Sequence, residues 1–148
     1  MALKLNLGSG AHPLDGFVNL DEVMGWRFEH GLQYDDETVD AVSVSHALMF
    51  VAESRLPDVI ADIYRVLKPG GILRVTEDNT EDPESPRFGG WLDAVTLTGP
   101  EMMRALLKGA GFRVRKHSAE STGWVDGSLL QAWHGGEPKC FWLEGRKP

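Results

Sequence analysis

Near its beginning the sequence reads Leu3-Lys4-Leu5-Asn6-Leu7 and then Gly8-Ser9-Gly10. The strict apolar and polar alternation predicts a β-strand, and the two glycines predict a tight turn at its carboxyl end. Such a turn is either an ordinary connection without a ligand or half of a nucleotide-binding fingerprint. The rest of the chain has to distinguish these two interpretations.

Strand and helix patterns alternate along the chain. Apolar and β-branched residues predict strands at 17–20, 40–45, 72–76, 112–116 and 139–144, with a further short edge strand at 27–29. Helical spacing predicts amphipathic helices over 56–67 and 98–107. This order favours an α/β Rossmann-like fold in three layers, with a mostly parallel sheet. The last two strands have no clear crossover helix between them, so we expect them to pair antiparallel.

Both helices carry terminal signals. Pro57 suits the first turn of the first helix, and Lys68-Pro69-Gly70-Gly71 predicts its end. Thr98 and Glu101 form a capping box for the second helix, which the glycines at 109 and 111 close.

The link between the first two strands is short. Only eleven steps separate Gly10 from Asp21, and Pro13 and Gly16 lie among them, so the first crossover helix is curtailed to one turn at most. A pyrophosphate needs the N-terminus of that helix, which makes NAD and FAD poor ligands. A ligand with a ribose but no phosphate fits better, because a carboxylate at Asp21 can accept hydrogen bonds from vicinal hydroxyls. Otherwise Asp21 is a solvated turn residue.

Composition narrows the function further. The chain has 148 residues, which suits one domain, and its net charge of −7 argues against a nucleic-acid partner. The single cysteine, Cys140, excludes an internal disulfide, and the five histidines show no metal-ligand spacing. No secretory signal and no apolar run long enough for a membrane span is present, so we expect a cytoplasmic protein.

Four motifs together carry a resemblance. They are Leu5-Asn6-Leu7-Gly8-Ser9-Gly10, Val18-Asn19-Leu20-Asp21, Asp40-Ala41-Val42 with Ser45-His46-Ala47-Leu48, and Arg65-Val66-Leu67-Lys68-Pro69-Gly70-Gly71 with Leu73-Arg74-Val75. In this order they resemble a class I S-adenosylmethionine-dependent methyltransferase, in a small branch similar to methyltransferase type 11 with a shortened first helix. The motifs cover residues 3–76, and the resemblance implies one methyltransferase-like domain over residues 1–148.

The resemblance implies S-adenosyl-L-methionine as cofactor. The positions that match its cofactor-binding motifs are Asn6, Gly8, Ser9, Gly10, Asp21, Glu29 and Ser45. Asn6 replaces the acidic residue that commonly opens the glycine motif. The segment 22–32, where a third strand would lie, is short, and Glu29 is the nearest candidate for an acidic contact with adenine.

Methyl transfer to a hydroxyl is helped by a general base. His46 follows the strand 40–45 at the edge where ligands bind in such sheets, and imidazole is a common base near neutral pH. Asp78, just after the strand 72–76, is the second candidate. The alternatives are that His46 only packs or caps a turn and that Asp78 is an ordinary loop carboxylate.

The polar loop over 77–93 would border the acceptor, with Arg87, Phe88 and Trp91 as contacts. We expect methyl transfer to a small-molecule or carbohydrate-like acceptor. The alternative is a non-catalytic module with this fold that works through a protein partner or a second copy, contacted by its Trp-rich C-terminal half, including Trp124. A third reading, another nucleoside-handling enzyme, has no hydride- or phosphoryl-transfer motif to support it.

Overall fold

The computed structural model describes residues 2–9, 13–22, 25–78, 96, 98–117 and 140–148 of the chain. Within them, no helix is both long enough and apolar enough to span a membrane.

A six-stranded mixed sheet forms the centre of the molecule. Its strands are β1 (Lys4–Leu7), β2 (Val18–Leu20), β3 (Val39–Ser45), β4 (Leu67–Asp78), β5 (Arg113–His117) and β6 (Cys140–Arg146). The spatial order is β2-β1-β3-β4-β6-β5. The first four strands run parallel, while β6 pairs antiparallel with both β4 and β5. The predicted Rossmann-like sheet with an antiparallel C-terminal strand pair is therefore confirmed.

Two helices pack on one face of this sheet. They are α1 (Leu56–Val66) and α2 (Pro100–Ala110), which contact each other and share one apolar core with alternate residues of the strands. Pro57 lies in the first turn of α1, as predicted. The helix ends at Val66, one residue earlier than predicted, because Leu67 is extended and begins β4.

The opposite face of the sheet is polar but also buried. Strand alternation puts polar residues on this face, and none of them is more than 4 % exposed. They are Asn6, Ser43, Arg74, Thr76 and Glu144. Burial lowers the pKa of Arg74, an effect that the neighbouring Glu144 carboxylate opposes.

Two local predictions are wrong. Residues 27–29 do not form an edge strand, because Phe28–His30 curls into a 3₁₀ turn where the Trp26 indole donates to the Gly31 carbonyl at 3.1 Å. The Thr98–Glu101 capping box is also absent. Gly99 is the N-cap of α2 and no side chain caps it, since Thr98 lies one residue too early. Gly111 ends the helix as predicted, in the left-handed conformation with φ of 112°, whereas Gly109 lies inside the helix.

Asn19 holds the short link between β1 and β2. Its Oδ1 accepts hydrogen bonds from the Leu14 N–H and from Asn6 Nδ2, each at 2.9 Å. Its Nδ2 donates to the carbonyls of Leu14 and Phe17, each at 3.2 Å. No helix lies within the described part of this link, residues 13–17. One amide side chain thus bonds three backbone groups of this link.

The Arg65–Gly71 motif is structural in this fold. Arg65 donates to the carbonyls of Leu32 and Tyr34 and pairs with Asp62 and Asp36, so it fastens the segment before β3 to α1. These carboxylates, Asp36 foremost, raise the pKa of Arg65. Arg65 of this motif therefore stabilises the fold through these bonds.

Candidate functional site

The carboxyl ends of β1, β2 and β3 meet at one edge of the sheet. Gly8, Asp21 and His46 each follow directly after one of these strands. The Leu20 carbonyl accepts both the Gly8 N–H at 2.8 Å and the Ser9 N–H at 3.2 Å, which fastens the glycine turn to the end of β2. The turn therefore lies beside Asp21, in the arrangement that the sequence predicted.

Gly8 packs directly against the loop that follows β3. Its φ is 70°, in the left-handed region, and a Cβ added there would lie 2.5 Å from the Cβ of Ala47. The same added Cβ would lie 3.9 Å from the ring of Phe28. Only glycine fits this position, because any side chain would meet both backbone strain and the Ala47 methyl.

His46 has an unusual backbone. Its φ of 51° is one of two positive values among the non-glycine residues that the structure describes, and the residue is only 7 % exposed. Its N–H donates to the Thr76 carbonyl at 2.8 Å, and its Nδ1 lies 3.4 Å from the Ser45 hydroxyl. A left-handed conformation costs a non-glycine residue about 1–2 kcal/mol, and such strain concentrates at functional sites.

Glu77 is a buried carboxylate near this edge that was not predicted from the sequence. It is the penultimate residue of β4, is 3 % exposed, and its Oε1 accepts the Leu48 N–H at 2.8 Å. Sequence reasoning chose its neighbour Asp78, which ends β4. The available signal was alternation, because Glu77 continues the apolar face of Leu73 and Val75 and so falls at a core position.

Glu29 lies in the 3₁₀ turn that occupies the place of the predicted edge strand. With Leu7, Trp26, Phe28 and residues of α1 it lines a cavity of about 310 Å³ beside the glycine turn. The Trp26 and Phe28 rings pack edge to face, with centroids 4.8 Å apart. The cavity thus combines aromatic and aliphatic walls with the charged side chains of Glu29, Arg55, Asp58 and Asp62.

Asn6 and Ser45 lie within the strands rather than in the loops. Asn6 Nδ2 is directed to Asn19, so this amide also supports the short link. Ser45 is 6 % exposed and lies beside His46.

Several predicted residues fall outside the described part of the structure. They are Gly10, the side chain of Asp78, the loop residues 79–93 with Arg87, Phe88 and Trp91, and Trp124. Within the described residues, no group of three or more His, Cys, Asp or Glu side chains is arranged to hold a metal ion.

Comparisons with known proteins agree with this architecture. Residues 19–75 match the family model described as a methyltransferase domain. No curated protein matches the sequence.

Many solved structures share the fold. One is the complex between the Haloferax volcanii Trm112 methyltransferase activator and a methyltransferase, with TM-score 0.69, 17% identity, and coverage of 99% of this chain and 83% of that one. A SAM-dependent methyltransferase from Thermotoga maritima aligns with TM-score 0.67 and 18% identity, over 100% of this chain and 83% of that one. Haemonchus contortus phosphoethanolamine N-methyltransferase 2 in complex with S-adenosyl-L-methionine aligns with TM-score 0.63 and 13% identity, over 99% of this chain and 49% of that one.

The site chemistry suits a nucleoside without phosphates. The N–H groups of Gly8 and Ser9 both donate to Leu20, so neither is directed at a phosphate, whereas the Asp21 carboxylate follows β2 beside them. The class I methyltransferase fold predicted from the four motifs is confirmed. The part of the chain that matches the methyltransferase domain, residues 19–75, includes Asp21, Ser45 and His46 of this edge.

Proposed function

We propose that this chain is an S-adenosylmethionine-dependent methyltransferase that acts on a small-molecule or carbohydrate-like acceptor, by in-line displacement at the sheet edge described above. The observation that carries the proposal is the meeting of the Gly8 turn, Asp21 and the strained His46 at that edge.

Each part of the edge has a role in holding the cofactor. The Asp21 carboxylate would accept hydrogen bonds from the ribose hydroxyls, and Glu29 with the Trp26 and Phe28 rings would hold the adenine. The turn Gly8-Ser9-Gly10 lets the backbone approach closely, since position 8 has no room for a side chain. Asn6 and Ser45 complete the polar lining towards the amino acid end.

The cofactor supplies an electrophilic methyl group on a sulfonium, so the protein needs no covalent nucleophile of its own. What the chain contributes is alignment, exclusion of water and, for a hydroxyl acceptor, removal of a proton. His46 is the group for that last task. Its Nδ1 lies 3.4 Å from the Ser45 hydroxyl, so the ring borders the polar end of β3. Asp78, at the end of the neighbouring strand β4, is the second candidate base.

Charge supports the acceptor class. The chain carries 22 acidic against 15 basic residues, so an extended phosphate backbone would be repelled rather than attracted. A compact, uncharged or cationic acceptor meets no such penalty.

A second candidate function is a module that keeps the fold and the cofactor but acts through a protein partner. The lack of a helix within residues 13–17, the described part of the link, favours it, as does one structural neighbour, which is a complex with a methyltransferase activator. Under this alternative the cofactor binds but no acceptor is methylated.

The two functions are separated by a transfer assay with methyl-labelled cofactor and a panel of hydroxyl, amine and saccharide acceptors. Enzymatic function predicts label in one acceptor class. His46→Asn should then slow transfer to a hydroxyl by about 10²–10⁴-fold, the usual worth of a general base. Asparagine is the matched replacement because it tolerates the left-handed backbone at this position. Cofactor binding without label in any acceptor would favour the partner-binding module.

A further inference from the structure

One buried carboxylate near the site has no part in the chemistry above. Glu77 lies at the end of β4, in register with Phe141 of β6, and is 3 % exposed. Burying a carboxylate is costly unless hydrogen bonds to the charge compensate for the lost water. At Glu77 one such bond comes from a backbone N–H in the loop that follows β3.

That amide belongs to the turn that follows His46. Leu48–Phe50 forms a 3₁₀ turn whose N-cap, Ala47, has no side-chain hydrogen bond of its own. Glu77 supplies the missing cap from the neighbouring strand, since its Oε1 accepts the Leu48 N–H at 2.8 Å. A carboxylate at the N-terminus of such a turn also complements the partial positive charge of its exposed N–H groups.

The far end of the same turn is tied separately. The Thr96 N–H donates to the Met49 carbonyl at 3.1 Å, and its hydroxyl donates to the Val51 carbonyl. On the near side, the His46 N–H donates to the Thr76 carbonyl. The chain between these anchors is the segment that places Ala47 against Gly8.

We propose that Glu77 is a positioning residue, which holds residues 46–48 so that His46 keeps its strained conformation and Ala47 stays packed on the glycine turn. The inference rests on the proposed function of that turn as the cofactor-binding loop. Without the carboxylate the Leu48 N–H loses its acceptor, and the loop can relax away from φ of 51° at His46. The glycine turn then loses the surface against which it packs.

The test compares Glu77→Ala and Glu77→Gln with wild type, by amide hydrogen exchange and by calorimetric titration with S-adenosylhomocysteine. In Glu77→Ala we expect the Leu48 amide to exchange about tenfold faster and the dissociation constant to rise by about tenfold, the usual effect of losing one buried hydrogen bond. Glutamine keeps an oxygen acceptor, so Glu77→Gln should restore Leu48 protection and stay within about threefold of wild-type affinity.

Glu144→Ala is the matched control. Glu144 is also a buried glutamate, 2 % exposed, but it lies three pairs further along the β4–β6 ladder and pairs with Arg115 at 3.3 Å. The Glu144→Ala variant should be less stable than wild type, but its Leu48 amide exchange and its affinity for S-adenosylhomocysteine should not change.

Unaltered exchange at Leu48 in Glu77→Ala would overturn the proposal. Equal acceleration of all sheet amides would overturn it too, because the role would then be merely structural, as would an equal loss of affinity in Glu144→Ala. If wild type does not bind S-adenosylhomocysteine, the proposed cofactor site fails. The exchange at Leu48 still reports separately whether Glu77 holds the loop.

Discussion

Replacing Gly8 by alanine should destabilise the fold and weaken ligand binding. The loss of stability has two parts, backbone strain at position 8 and a clash with Ala47. The left-handed φ of 70° costs alanine about 1–2 kcal/mol. The new methyl would lie 2.5 Å from the Ala47 Cβ, a contact that no rotation can relieve, and overpacking of this kind costs about 1–3 kcal/mol more. We therefore expect Gly8→Ala to lose about 2–5 kcal/mol of unfolding free energy, the sum of these two effects.

Two further variants separate the two effects. Gly70 has a φ of 82° and nothing within 4 Å of an added Cβ, so Gly70→Ala should show the backbone strain alone, about 1–2 kcal/mol. Ala47→Gly removes the methyl that causes the clash. Combined with Gly8→Ala it should recover the packing part, as a favourable coupling of about 1–3 kcal/mol in a double-mutant cycle.

The assays are urea denaturation for stability and calorimetric titration with S-adenosylhomocysteine for the site. Gly8→Ala should weaken binding at least about tenfold, since moving this turn disturbs the close approach of backbone to ligand, whereas Gly70→Ala should leave it unchanged. If Gly8→Ala is no worse than Gly70→Ala in either assay, the packing of the glycine turn on Ala47 is not what shapes this site.

Three other changes test the architecture around the site. Lys147→Met removes an ammonium that donates at 2.8 and 2.9 Å to two carbonyls at the C-terminal end of α1. This variant should lose about 2–4 kcal/mol of unfolding free energy in urea denaturation. The exposed control, Lys68→Met, should lose under about 1 kcal/mol. The hydrogen bond from the Leu3 N–H lowers the pKa of Asp40 below 3.8. This carboxylate therefore stabilises the fold fully above that pH and loses its effect as the pH falls through the folded-state pKa. The difference in stability between wild type and Asp40→Asn should vanish on acid titration, and a difference that grows at low pH would contradict this sign. Asn19→Leu removes the side-chain bonds from Asn19 to Leu14 and Phe17 and should lower the thermal midpoint by several degrees, and an unchanged midpoint would show that the link is held otherwise.

The sheet was predictable because its signals are local. Alternation in Leu3–Leu7 and the β-branched run in β3 identify strands, and the residue count between Gly10 and Asp21 leaves room for one helical turn at most. The edge position of Gly8, Asp21 and His46 followed from the rule that parallel strands present their carboxyl ends together. These parts of the site needed no knowledge of side-chain contacts.

What escaped prediction depends on contacts between distant residues. The bond from Leu48 to Glu77 joins positions 29 apart, and no spacing rule connects them. The 27–29 segment looked extended, but the Trp26 bond to the Gly31 carbonyl curls it. The apparent capping box at Thr98 failed because the chain enters α2 through an extended Gly99, a tertiary choice that overrides a local motif.

The most direct test of the cofactor site is calorimetric titration of wild type, Asp21→Ala and Asp35→Ala with S-adenosylhomocysteine. Asp35 is an exposed aspartate before β3, at the opposite edge of the sheet, and serves as the control. We expect micromolar binding by wild type and Asp35→Ala, about −8 kcal/mol, and binding weakened at least about tenfold in Asp21→Ala. Equal affinity in all three proteins, or no binding heat from wild type at millimolar ligand, would contradict a cofactor site at the carboxyl edge of β1 and β2.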